Sequence, residues 1–333
     1  MHHEKKFFTL VISAILSVSS FAGFASFEKV EEALDEENLK VAQLTFNELT
    51  ESEKNSLLGQ ILVGRLLLQK EAGKDAFDHF EDLVDINSED VEVNFYLGVS
   101  SLMMLQEASM FSALGYAKDF LSAMEKTIKL KPDHTGAHSY LIAFHLNAPS
   151  VAGGDKDKAL ELANQLKIFD AEQGYGALAR VYVATEQTEL AQQTLQQGLK
   201  EFPESFTLYL RRAGIYLRDD DWDNARADAA SAINHAKNDN QKLEVLWQLG
   251  NASAESGKEI DLGIKSLIEA ISLLDEQGPD AQWVKYRLAE LYIHNGEWGK
   301  AKDYLTKIDN QYVDDNLKSL VKKLKKRLKK LKN

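Results

Sequence analysis

From Glu172 to Lys237 the chain reads EQGYGALARVYVATEQTELAQQTLQQGLKEFPES and then FTLYLRRAGIYLRDDDWDNARADAASAINHAK. Laid end to end, the two stretches repeat one pattern at a step of 34 residues. Ala179 falls on Ala213, Tyr182 on Tyr216, Ala191 on Ala225 and Leu195 on Ala229, with Leu178 opposite Arg212 and Pro203 opposite Lys237. A period of this length holds two helices and two turns. Small residues recur at the eighth and twentieth places because the paired helices cross there at short range, and the tyrosine at the eleventh place fills the space between them.

The pattern runs outward in both directions. The small residue of the second helix is found at Ala42, Ala76, Ala159, Ala191, Ala225 and Ala301, with Phe120 and Gly263 in two divergent units. That of the first helix is found at Gly64, Gly98, Ala143, Ala179, Ala213, Gly250 and Ala289. Phe46 and Phe80 share the large-residue place, and Leu49 and Leu83 the next inward one. These residues resemble the tetratricopeptide repeat (TPR) family. The resemblance implies an all-α, right-handed α-solenoid over residues 26–315, with about seven full helix pairs behind one partial pair. It also implies a binding scaffold for a protein or peptide, whose identity the residues do not name.

In that family, places two, five, nine, twelve and thirteen of each first helix line a concave groove. Carried onto this chain, the resemblance implies partner-binding residues Phe95 and Phe144 in an N-terminal half that is otherwise aliphatic and Met-rich, including Leu102, Met103 and Leu141. In the C-terminal half it implies Arg218, Trp247, Asn251, Trp283, Tyr286 and Glu290. The first half suits a small hydrophobic ligand or an apolar helix, unless the lengthened unit nearby folds over it. The second suits a peptide, because aromatic and arginine side chains dominate interface energetics. Trp247, Trp283 and Tyr286 are expected to form one aromatic patch, ringed by Arg218, Asn251 and Glu290.

Two units depart from the period. Between Gly98 and Phe120 the gap is ten residues too long, and without a proline to interrupt it, longer helices are expected. The other excess falls in Asn147-Ala-Pro-Ser-Val-Ala-Gly-Gly-Asp155, where Pro149 should end a helix, Gly153-Gly154 turn the chain and Asp155 cap the next helix. This stretch also looks like a loop of some exported bacterial TPR proteins. A structural turn is the better reading than an anion cradle, since neither a phosphate-loop motif nor a preceding strand accompanies it.

Charge and the two ends bound the function further. With 52 acidic against 39 basic residues, nucleic acid is not an expected partner. No cysteine is present, which excludes disulfides, thiol chemistry and lipidation at an N-terminal cysteine. Residues 1–25 read as a signal peptide, with a polar basic start, an apolar run from Phe7 and cleavage after Ala22 or Ala25, so a periplasmic or secreted location is expected. An uncleaved anchor over Phe7–Phe27 is the alternative. At the other end, residues 316–333 carry eight lysines and one arginine without an acid. Leu317, Leu320, Val321, Leu324, Leu328 and Leu331 make one helical stripe there, expected to cap the solenoid, to touch an anionic membrane or an acidic partner, or both. Deleting Lys322 to Asn333 is expected chiefly to slow association with a partner.

No catalytic, cofactor or metal site is expected, and the chain is not read as an enzyme. His134, His138 and His145 have helical spacing, but no Glu completes an HExxH motif, and exposed or capping histidines are the expectation. Asp219-Asp220-Asp221 reads as a solvated turn.

Overall fold

Stripes of apolar residues at helical spacing alternate with short polar turns along this chain, and each stripe becomes a helix packed on its neighbour. The computed structural model describes residues 26–331, so the expected signal segment lies outside the described residues. The chain divides into two units, the first ending at Phe169 and the second beginning at Asp170.

The first unit opens with α1 (26–35) and α2 (Leu39–Asn47), a short pair closed by a single turn, α3 (Glu51–Lys54). The turn carries a capping box between Thr50 and Glu53. Then come α4 (Leu57–Gln69) with α5 (Gly73–Ile86), α6 (Val91–Glu107) with α7 (Met110–Leu130), and α8 (Thr135–Asn147) with α9 (Lys156–Phe169). Glycine at the crossing position lets two helices approach: a Cβ on Gly64 would stand 2.2 Å from the Phe80 ring, and one on Gly98 would stand 2.8 Å from Met124 Cε. The ten extra residues lengthen α6 to 17 residues and α7 to 21.

The register of α8 departs from the 34-residue step. Ala143 is only partly buried, whereas its neighbour Ile142 is 1% exposed. The inward position of α8 therefore belongs to Ile142, because the helix starts at the His134 cap and not where the 34-residue step would start it.

The second unit contains α10 (Ala171–Ala184) with α11 (Thr188–Glu201), α12 (Phe206–Arg218) with α13 (Trp222–His235), α14 (Asp239–Ser256) with α15 (Ile260–Ser272), and α16 (Pro279–His294) with α17 (Trp298–Thr306). A last helix, α18 (Asp315–Leu331), packs against α16 and α17. Its Leu317, Val321, Leu324 and Leu328 are buried in one cluster with Leu288, Leu291 and Leu305. The lysines and Arg327 on its other face are all exposed.

Two local devices recur through both units. First helices begin at a side-chain cap: Ser56, Asp90, Asp170, Ser205 and Asn238 each accept a bond from an amide three residues on. The turn to the second helix passes through one left-handed residue, at Glu37, Glu71, Glu186, Asp220 and Gly296. In each turn the amide after that residue bonds the carbonyl five places back, as Gln187 N does to Tyr182 O at 2.8 Å.

Candidate functional site

In the second unit, α14 presents Asn240, Leu243, Glu244 and Trp247, and α16 presents Asp280, Trp283, Val284 and Arg287. Both sets follow the i, i+3, i+4, i+7 spacing of a single helical face. With Leu274 they line an open chamber of about 480 Å³. A second chamber, of about 650 Å³, lies between α14 and α12, where Arg218, Leu210 and Gly214 face Gln248, Asn251 and Glu255. Trp247 and Glu244 belong to both, so Trp247 stands as the wall between two halves of one groove. Both tryptophans are half-buried and rest on the apolar cluster beneath, which holds their indoles on rigid helices.

The expected aromatic patch is narrower than three rings. Trp283 meets Tyr286 edge-on at 6.1 Å, but Tyr286 is 5% exposed and its hydroxyl donates to Glu290 Oε1 at 2.7 Å. Burial and that acceptor push the phenol's pKa well above its ordinary value. Tyr286 is therefore a support under Trp283, not a contact surface. Glu290 is likewise engaged, by Tyr286 and by Arg287 Nη1 at 2.8 Å. Arg287 Nη2 reaches Glu255 Oε1 at 2.8 Å, and Asn251 Nδ2 donates to the same oxygen at 3.1 Å. One network thus links α14 to α16 through Arg287, a residue that place-by-place transfer of the groove had not selected. Its signal lay in the shared spacing of 240, 243, 244, 247 and 280, 283, 284, 287, forty residues apart instead of 34. Arg218 is exposed, with only Thr188 Oγ1 at 3.3 Å. Asn251 Oδ1 is buried without a partner.

In the first unit Phe144 is 6% exposed and stacks on Phe120 at 4.8 Å, so it is core rather than open groove. Phe95 is ringed by Tyr96, His134 and Tyr140 at 4.6–5.8 Å. Met103 packs beside Gly73 at the start of α5, away from the expected lining. What remains open is a pocket of about 770 Å³ walled by Leu102, Leu105, Leu114, Tyr140 and Val151, with the Phe144 ring at its edge. Val151 is 79% exposed and Leu114 47%, an unusual display for aliphatic side chains.

The three histidines have different surroundings. His134 caps α8, its Nδ1 accepting from Ala137 N at 3.0 Å. His138 and His145 are 1% and 4% exposed and bond the carbonyls of Pro132 and Gly153, so they are buried rather than exposed. Burial holds the His145 pKa below its ordinary value. Among the described residues no group of His, Asp or Glu is placed to hold a metal ion. No described helix is long and apolar enough to cross a membrane.

Family models described as tetratricopeptide repeat match residues 177–241 and 265–324. The first match spans most of the opening repeat pair. The second runs from α15 into α18, which occupies the place of the next repeat's first helix. The chain is a tetratricopeptide repeat protein. A search of curated proteins finds no match by sequence. A TPR protein from Parabacteroides merdae aligns with 81% of this chain and 98% of its own, at TM-score 0.52 and 13% identity. A thermophilic TPR protein from Thermus thermophilus aligns with 59% of this chain and 99% of its own, at TM-score 0.50 and 16% identity. An IFIT1 monomeric mutant solved with m7Gppp-AAAA aligns with 92% of this chain and 72% of its own, at TM-score 0.55 and 13% identity. At these identities the likeness is one of fold. TPR arrays serve in general as protein-interaction scaffolds and are typically non-catalytic.

Proposed function

We propose that this TPR protein is a non-enzymatic adaptor, exported to the cell envelope, that holds a segment of a partner protein in the groove formed by α12, α14 and α16. The observation that supports this most is the pair of chambers meeting at Trp247, since half-buried tryptophans fixed on rigid helices are the side chains that anchor interfaces. Trp247→Ala and Trp283→Ala should each cost on the order of 2 kcal/mol in binding a peptide selected on the wild-type protein, with helix content unchanged. Reversing the exposed lysines of α18 should alter mainly the association rate and its salt dependence, because their pull is screened over about 10 Å at 0.1 M salt. Loss of binding on lysine reversal, with both tryptophan variants unaffected, overturns the groove assignment. Export is tested by N-terminal sequencing from the native host: a start near Ser26 in a soluble fraction supports it, and a start at Met1 in membranes replaces it with an anchored topology.

A second reading is favoured by the apolar pocket of about 770 Å³ in the first unit, a volume suited to a small hydrophobic ligand. Native mass spectrometry separates the two: a retained small apolar molecule supports the carrier, and a co-purifying polypeptide the adaptor. Contact of α18 with an anionic membrane is also part of this reading. It would be mainly electrostatic, because Leu317, Val321, Leu324 and Leu328 of the apolar stripe are already buried against α16 and α17.

A further inference from the structure

We infer that the chamber between α14 and α16 takes a cationic side chain, lysine or arginine, of the bound segment. This deepens the groove reading above and rests on it. Trp247 and Trp283 both line the same chamber, and an indole face attracts a cation held within about 6 Å of the ring. Glu244 and Asp280 bring two carboxylates to its lining; both are exposed and neither takes part in an ion pair or a side-chain hydrogen bond. The one cation that lines the chamber does not neutralise them. Arg287 is held by Glu255 and Glu290 at 2.8 Å on either side of its guanidinium, so its charge is spent within the network. Lys242 of α14 pairs with Asp239, and Arg211 of α12, which feels Glu244 through space, forms no ion pair with it.

The chamber therefore brings two exposed carboxylates that no side chain pairs beside two tryptophans. A carboxylate or phosphate on the partner would meet repulsion there. A bare metal ion would lack ligands, since no cluster of three suitable side chains exists among the described residues. A lysine or arginine fits on all counts: its aliphatic stem lies along Leu243, Leu274 and Val284, while its head meets the carboxylates at the rim.

The experiment selects peptides from a random library on the immobilised protein and measures their affinity for wild type, Trp247→Ala and the double variant E244Q/D280N. The same peptides are then synthesised with each arginine replaced by citrulline and each lysine by acetyl-lysine, neutral counterparts that leave the protein untouched. Enrichment of basic peptides that lose about tenfold in affinity on neutralisation, and about the same with E244Q/D280N, supports the inference. Peptides that depend on Trp247 yet tolerate neutralisation of both arginine and lysine overturn it while leaving the groove reading intact. The absence of any peptide that depends on Trp247 overturns both. If the basic ligand proves to be α18 of a second copy, seen as dimerisation abolished by E244Q/D280N, the assignment to a foreign partner is overturned.

Discussion

At the scale of single residues, the strictest demands fall where backbone or charge has no alternative. Gly153 has φ 97°, and a Cβ there would approach Leu121 Cδ1 to 2.7 Å; a Cβ on Gly154 would stand 1.8 Å from the Ala148 carbonyl oxygen. The second clash is with backbone, which cannot swing aside as a leucine methyl can. Gly154→Ala should therefore destabilise the first unit more than Gly153→Ala, with the latter costing about 1–3 kcal/mol, measured by chemical denaturation. Unchanged stability in both would mean the turn is not structural. In the second unit Arg212 forms two bonds of 2.7 Å to Asp228, whose side chain is only 6% exposed. Asp228→Ala strands the guanidinium between Tyr209 and Tyr216 and should cost about 3 kcal/mol, read by the same denaturation. A loss under about 1 kcal/mol, on the scale of an exposed pair, would show that water satisfies Arg212 instead.

At the scale of elements, the helices are defined as much by their ends as by their stripes. The first helices named above begin at side-chain caps, and in the five turns named above the left-handed residue is acidic in four, with glycine only at Gly296. A side chain in that conformation carries a penalty that glycine avoids, so Glu186→Gly should raise stability by about 1 kcal/mol; Glu186 is exposed and makes no ion pair. A fall in thermal midpoint would show that the Glu186 side chain contributes something its geometry does not reveal. Element length also matters to function. The long α14 and α16 set the spacing of forty residues that faces their two stripes across the chamber, and the lengthened α6 and α7 frame the pocket of the first unit.

At the scale of the whole molecule, the basic C-terminal helix changes meaning. Deleting Lys322 to Asn333 would remove Leu324 and Leu328, which are buried, so the effect cannot be confined to association kinetics as its charge suggested. Removing two fully buried leucines forfeits about 3–6 kcal/mol of apolar burial. The truncated protein should lose stability in its second unit, whereas reversing Lys322, Lys325 and Lys326 to glutamate should leave the thermal midpoint within a degree or two, since all three are exposed and unpaired. Equal loss from both changes would mean that the charged face, and not the leucine stripe, holds α18 in place.

Sequence alone determined the repeat, because crossing helices tolerate only small residues at set intervals, and Gly64, Gly98, Ala179, Ala213 and Ala289 are buried where that spacing puts them. It also located the breaks in the period and the turn at Gly153, since glycine and proline act on their own backbone. Tertiary structure decided which groove residues are free. Tyr286, Glu290 and Phe144 occupy lining positions by spacing, yet two are joined in a network centred on Arg287 and the third is stacked on Phe120. Periodicity specifies the direction in which a side chain leaves its helix. Whether that side chain then meets water or a neighbour depends on helix length and register in the adjoining pair, as the shift from Ala143 to Ile142 illustrates, and those are fixed only when the pairs pack.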